Sequence, residues 1–140
     1  MAEEEIKALI REAIAARKMS YSPYSGYQVG AALLTTDGQV IRGCNIENAA
    51  YTPTNCAERT AFFKAVSEGK RDFKAIAIAG SPKGDAITQY SYPCGVCRQV
   101  MMEFCNPETF QIIVACSEEE YQCKTLETFL PWGFGPENLE

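Results

Sequence analysis

A chain of 140 residues, 46% of them apolar, can bury one hydrophobic core and predicts a single domain over residues 1–140. Its net charge is −5 with lysines and arginines scattered, so it lacks the basic stripe of a nucleic-acid binder and a small-molecule substrate is expected instead. There is no histidine, which excludes Ser-His-Asp and Cys-His catalysis and leaves cysteine, carboxylate and water as metal ligands.

In chain order, the acidic start Glu3-Glu4-Glu5 and the lack of an apolar run long enough to span a bilayer predict a soluble, cytoplasmic protein with no membrane partner. Ile6, Leu9, Ile10, Ala13 and Ile14 recur at helical spacing and predict an amphipathic helix over 3–18. Ser20 to Gly26 reads as an ordered loop, leading into a buried strand from Val29 to Leu34. Asp37-Gly38 predicts a hairpin turn into a second strand, Gln39 to Gly43. A helix over 56–68 carries Ala61, Phe62, Ala65 and Val66 on one stripe and stops at Gly69. A short buried strand, Phe73 to Ala79, precedes a loop from Gly80 to Tyr92. The next helix, Cys94 to Cys105, places Val96, Val100, Met101 and Phe104 on one side and ends at Asn106-Pro107. Phe110 to Cys116 is the following strand. Ser117 to Glu120 is too short for a crossover, so a strand at Tyr121 to Lys124 should return antiparallel, before a short helix from Leu126 to Leu130.

Strand, helix, strand, helix, strand over 39–116 implies two parallel crossovers in a mixed sheet, with both helices free to lie on one face. Such helices start beyond the C-terminal edges of their strands, where open α/β sheets build sites. Cys56-Ala57-Glu58-Arg59 and Pro93-Cys94-Gly95-Val96-Cys97 both fall there. The cysteine count is seven, an odd number that favours thiols and metal ligation over disulfides; Cys44, Cys105, Cys116 and Cys123 are expected as small core residues.

Cys94 and Cys97, three apart at a helix start, can chelate one ion, and Cys56 supplies a third thiolate from the other helix start. Zinc suits this donor set, and three protein ligands leave a fourth tetrahedral position for water. Three thiolates make a negative centre that blunts the acidification of that water. Two helix N-termini aimed at the sulfurs, and Arg59 hydrogen-bonded to one of them, would compensate. Glu58, the only acid in either motif, is expected to shuttle protons beside the water. Positions i and i+2 diverge in a regular helix, so this pairing requires Cys56 at the non-helical start. Each part alone has a plainer reading: Cys-x-x-Cys as a structural or redox pair, Glu-Arg as a solvated ion pair, a lone cysteine as core. Together they point to a metal enzyme.

These motifs, with Gly43-Cys44-Asn45-Ile46-Glu47-Asn48-Ala49, Tyr24-Ser25, Val29 to Leu33, Ala65 to Gly69, Leu130-Pro131 and Phe134-Gly135-Pro136, resemble the small, homotetrameric class of cytidine deaminases. The resemblance implies a three-layer α/β/α fold whose mixed sheet of about five strands carries the ligands on its crossover helices. It implies a homotetramer with one Zn²⁺ per subunit on Cys56, Cys94 and Cys97. The established chemistry of zinc deaminases would then apply: zinc-activated water attacks C4, and Glu58 protonates N3 and then the departing amine. The products would be uridine or deoxyuridine and ammonia, a step of pyrimidine salvage. Asn45 and Glu47 match positions that hold the ribose hydroxyl, the Ala57 backbone a contact to the base amide edge, and Phe134 a ring supplied by a neighbouring subunit. Tyr27 stands where phenylalanine usually lies against the base, so its hydroxyl needs a partner if buried. Tyr92 replaces a common serine. The alternatives are an aminonucleoside-antibiotic deaminase, which the stretch from Asn45 to Ala49 disfavours, and a non-catalytic zinc-stabilised binding protein. A polynucleotide editor is disfavoured by the acidic charge and the short turn at Ser117 to Glu120.

Overall fold

The computed structural model describes residues 1–140 and centres on one mixed sheet. Its strands are β1 (Tyr27–Thr35), β2 (Val40–Cys44), β3 (Phe73–Pro82), β4 (Gln111–Ala115) and β5 (Tyr121–Thr125), in the spatial order β2-β1-β3-β4-β5. Only β3 and β4 pair in parallel; β1 is antiparallel to both its neighbours, and β5 is antiparallel to β4. The helices are α1 (Glu3–Ala16), α2 (Ala57–Ser67), α3 (Gly95–Phe104) and α4 (Leu126–Phe129). No helix is long and apolar enough to cross a membrane.

The period-2 alternation of the strands sorts the core into two layers. Ala31 and Leu33 of β1, Ile76 and Ile78 of β3, and Ile112 and Val114 of β4 face α2 and α3, where they meet Ala61, Phe62 and Met101. The opposite face carries Ala32, Leu34, Ala75, Ala77 and Ala79 under Ile6, Leu9, Ile10 and Ala13 of α1. Small residues on that side let α1 lie close: a Cβ added at Gly30 would fall 2.0 Å from the Ala13 carbonyl oxygen. The result is the expected α/β/α arrangement, with both crossover helices on one face.

Several local expectations shift. The first helix ends at Ala16 and passes into a 3-10 turn, Arg17–Met19. β1 and β3 are longer than their apolar runs because Tyr27 pairs with Pro82 at their far end, which shortens the loop before Cys94. The crossover through α2 does not join neighbouring strands; it passes over β1. On α3 the buried positions are Cys97 and Met101, whereas Val96, expected on the core stripe, is exposed because it lies about 100° round the helix from that i, i+4 line. Cys44, Cys105, Cys116 and Cys123 are half-buried rather than core residues.

Candidate active site and metal centre

Each crossover helix is started by a cysteine. Cys56 precedes α2 with extended backbone (φ −74°, ψ 157°), and Cys94 precedes α3 in the same way (φ −68°, ψ 167°). Cys56 therefore escapes the i, i+2 divergence of a regular helix, and it lines one cavity together with Glu58. The Cys94 Sγ accepts the Cys97 N–H at 3.4 Å, the role a capping hydroxyl plays elsewhere, so the helix start holds the sulfur in place.

The three sulfurs of Cys56, Cys94 and Cys97 lie within 4.8 Å of one another. Cys56 and Cys94 are 3.7 Å apart at Sγ. Two sulfurs bound at about 2.3 Å to one tetrahedral ion would be separated by about 3.8 Å, so the donor set fits zinc in kind and the Cys56–Cys94 pair fits it in spacing. Without an ion, the hydrogen bond from the Cys97 thiol, helped by Arg59 and Cys94, pulls the Cys56 thiol down to about 5. The same bond and burial push Cys97 up. The cluster thus already favours negative charge, at the thiol nearest a cation: Arg59 Nη2 donates to Cys56 Sγ at 3.4 Å.

Glu58 lies on the first turn of α2 and is only 4% exposed. Burial, with the nearby Cys56 charge adding to it, raises its carboxyl to about 7. That value suits a group that must both take and give a proton near neutral pH.

The cavity in front of these groups measures about 280 Å³. Tyr27, Asn45, Cys56, Ala57, Glu58 and Cys94 all line it, so the structure brings most of the sequence-predicted residues together. Asn45 uses its amide to fix the wall: Oδ1 accepts from the Val29 N–H at 2.9 Å, and Nδ2 donates to the Tyr27 carbonyl at 2.8 Å. Glu47 lies apart, in an adjoining depression with Tyr24, Ser25 and Tyr51, and Thr54 lines both spaces. Its carboxylate accepts the Tyr24 and Ser25 N–H groups at 3.0 and 3.1 Å and the Ser25 hydroxyl, which holds it below its ordinary range. Phe134 does not reach the cavity; it is 57% exposed on the tail, and its carbonyl accepts from Gln99 Nε2 at 2.8 Å.

Residues that sequence reasoning missed also line the cavity: Thr54, Asn55, Ile78 and Ser91. The Ser91 hydroxyl faces that of Tyr27 with the two oxygens 3.4 Å apart, longer than an ordinary O–H···O bond. The adjacent Tyr92 packs between Tyr90 and Phe129, with ring centroids 6.2 and 6.0 Å away. Only the proximity of Ser91 to Pro93-Cys94 could have pointed to it, since no periodicity marks a loop residue.

Comparison with known proteins agrees with this arrangement. The profile of the "cytidine and deoxycytidylate deaminase zinc-binding region" matches residues 3–115. A cytidine deaminase of Halalkalibacterium halodurans is 51% identical over 131 residues, covering 94% of this chain and 95% of that protein. One from Sporosarcina psychrophila is 47% identical over 135 residues, covering 96% and 95%. The crystal structure of cytidine deaminase from Burkholderia pseudomallei superposes with a TM-score of 0.82 at 43% identity, covering 96% of this chain and 100% of that one. The profile match over residues 3–115, with sequence identities of 47% and 51% along nearly the whole chain and the shared fold, places this chain, with its buried carboxyl beside three converging thiols, in the cytidine and deoxycytidylate deaminase family.

Proposed function

We propose that this protein hydrolytically deaminates cytidine and deoxycytidine to uridine and deoxyuridine with release of ammonia, a step of pyrimidine salvage. It does so as a single catalytic domain over residues 1–140, in a cytoplasmic homotetramer with one Zn²⁺ per subunit. The observation that carries this reading is Glu58, buried and sharing a cavity of about 280 Å³ with Cys56 and Cys94, two of the three converging cysteines.

Cys56, Cys94 and Cys97 would hold the zinc, which when bound supplies the Lewis acidity that makes water nucleophilic near neutral pH. Arg59, donating to Cys56 Sγ, withdraws charge from the ligand set and keeps that acidity from being quenched by three thiolates. Glu58 is the proton carrier: it takes a proton from the attacking water and delivers it to N3, then takes the second from the hydroxyl now on C4 and gives it to the amine, so that the C4–N bond breaks, C4=O forms and ammonia leaves. Its burial shields that exchange from bulk water. The Ala57 backbone meets the base amide edge, Tyr27 lies against the ring, Asn45 and Glu47 hold the ribose, and Phe134 is contributed by a neighbouring subunit. Asn45 and Glu47 are both pre-positioned by hydrogen bonds to backbone, which lowers the ordering cost of binding.

The test is a panel of cytidine, deoxycytidine, cytosine and a phosphorylated cytidine, with zinc measured on the same sample. Rapid conversion of both nucleosides at about one zinc per chain is expected. Zinc-loaded protein that leaves cytidine unchanged would sink the reading.

A further inference from the structure

Tyr27 and Ser91 place two hydroxyls on a cavity wall that is otherwise mostly apolar, with Val29 and Ile78 beside them. Their oxygens are 3.4 Å apart, longer than an ordinary O–H···O bond, and neither hydroxyl has another side-chain or backbone acceptor in reach. Two donors and several lone pairs are therefore left mostly unused at a place where a ligand can meet them. The arrangement is built into the sheet. Tyr27 and Val29 of β1 stand on the same face as Gly80 of β3, which is paired with Val29. A Cβ at Gly80 would lie 2.6 Å from Ser91 Oγ and 3.0 Å from Tyr27 Cε1, so glycine there leaves the space both side chains occupy.

Resting on the deaminase reading, the direction this wall faces follows from where the other groups come from. C4 of the pyrimidine must point to the cysteines, and N1, opposite it on the ring, must point to the mouth. Glu58, on the first turn of α2, serves N3 and so takes one flank. The opposite flank, C5 and C6, is left to the segment that leads into α3, which includes Ser91.

We propose that the Tyr27–Ser91 hydroxyl pair is a specificity-determining wall for the C5 position, favouring pyrimidine nucleosides whose C5 substituent forms hydrogen bonds over those with an apolar substituent. The hydroxyl of a hydroxymethyl group bridges the two oxygens from the cavity side, hydrogen-bonded to both, and completes their bonding. A methyl group at the same position covers them and leaves a desolvated donor without a partner.

The experiment reads the apparent inhibition constants of 5-hydroxymethylcytidine and 5-methylcytidine against cytidine turnover by the zinc-loaded enzyme. Their ratio on one sample is independent of how much of that sample is folded or metallated. Wild type should bind the hydroxymethyl compound at least roughly tenfold more tightly than the methyl compound. In Tyr27→Phe and Ser91→Ala the preference should shrink, and in the double variant it should fall to about onefold. A wild-type ratio of one or less, failure of the hydroxymethyl compound to compete, or a preference that survives the double substitution overturns the proposal. Failure of wild type to convert cytidine itself is a separate result: it removes the deaminase reading and this inference with it.

Discussion

In the metal-free protein, burial raises the Glu58 carboxyl from its ordinary 4.5 to about 7. The folded chain then binds more protons at this site than the unfolded chain between those two values, so its contribution to stability falls as pH rises through that window. Glu58→Gln removes the titration. The zinc-free variant should match wild type near pH 4 and exceed it at pH 8 by on the order of 3 kcal/mol. Urea unfolding of the two metal-free proteins at both pH values checks this, and a difference that does not change with pH would reject it. The zinc-loaded variant should keep its metal while losing about 10²- to 10⁴-fold in kcat, since the proton carrier is gone. Arg59 acts one step removed, through its bond to Cys56 Sγ. Arg59→Ala should weaken zinc binding about 10- to 100-fold, read by competition against a chelator.

Among the elements, α2 carries the acid and is started by the ligand Cys56, and its position is set by Gly43 of β2. A Cβ there would lie 2.4 Å from the Ala57 carbonyl oxygen and 2.6 Å from the Ala61 nitrogen, both helix backbone. Gly43→Ala should therefore displace the start of α2, lowering stability by about 1–3 kcal/mol and zinc affinity with it. Gly30→Ala is the control: it meets the backbone of Ala13 and Arg17 on the other face, so it should cost comparable stability while a renatured, folded fraction still binds zinc normally. Equal zinc losses in the two variants would mean that the site is not positioned by the β2–α2 contact. This difference between faces also explains what the sequence could show. Alternation and helical spacing revealed the strands, both crossover helices and the cysteine motifs at their starts, because those patterns are local. The passage of the α2 crossover over β1 was not legible, since it depends on which strands pair. Val96 lies off the buried face because the core-facing line of α3 runs through Cys97 and Met101, about 100° round the helix, and apolar residues on both sides of that line read alike in the sequence. Ser91 and the separate lodging of Glu47 depend on loops folding back, which no period records.

At the scale of the whole molecule, the tail is tied to α3. Gly133 and Gly135 lie against Met102, where added Cβ atoms would meet its sulfur and methyl carbon at 3.1 Å, and Gln99 Nε2 holds the Phe134 carbonyl at 2.8 Å. The backbone is thus anchored to α3 while the Phe134 ring stays 57% exposed and outside its own chain's cavity. An anchored backbone carrying an exposed aromatic ring is suited to completing a pocket on another copy, as the proposed tetramer requires. Phe134→Ala should then raise KM for cytidine with zinc content unchanged. Complementation separates an intersubunit role from ordinary tail packing. Glu58→Gln supplies an intact Phe134 but no proton carrier, and Phe134→Ala supplies the reverse. When the two are co-expressed with different tags and the doubly tagged oligomer is isolated, half the protomers retain Glu58 and about half of those receive an intact ring. Activity should reach roughly a quarter of wild type at subsaturating cytidine, above the mean of the two parent variants. A doubly tagged oligomer whose activity equals that mean would show that Phe134 serves only its own chain.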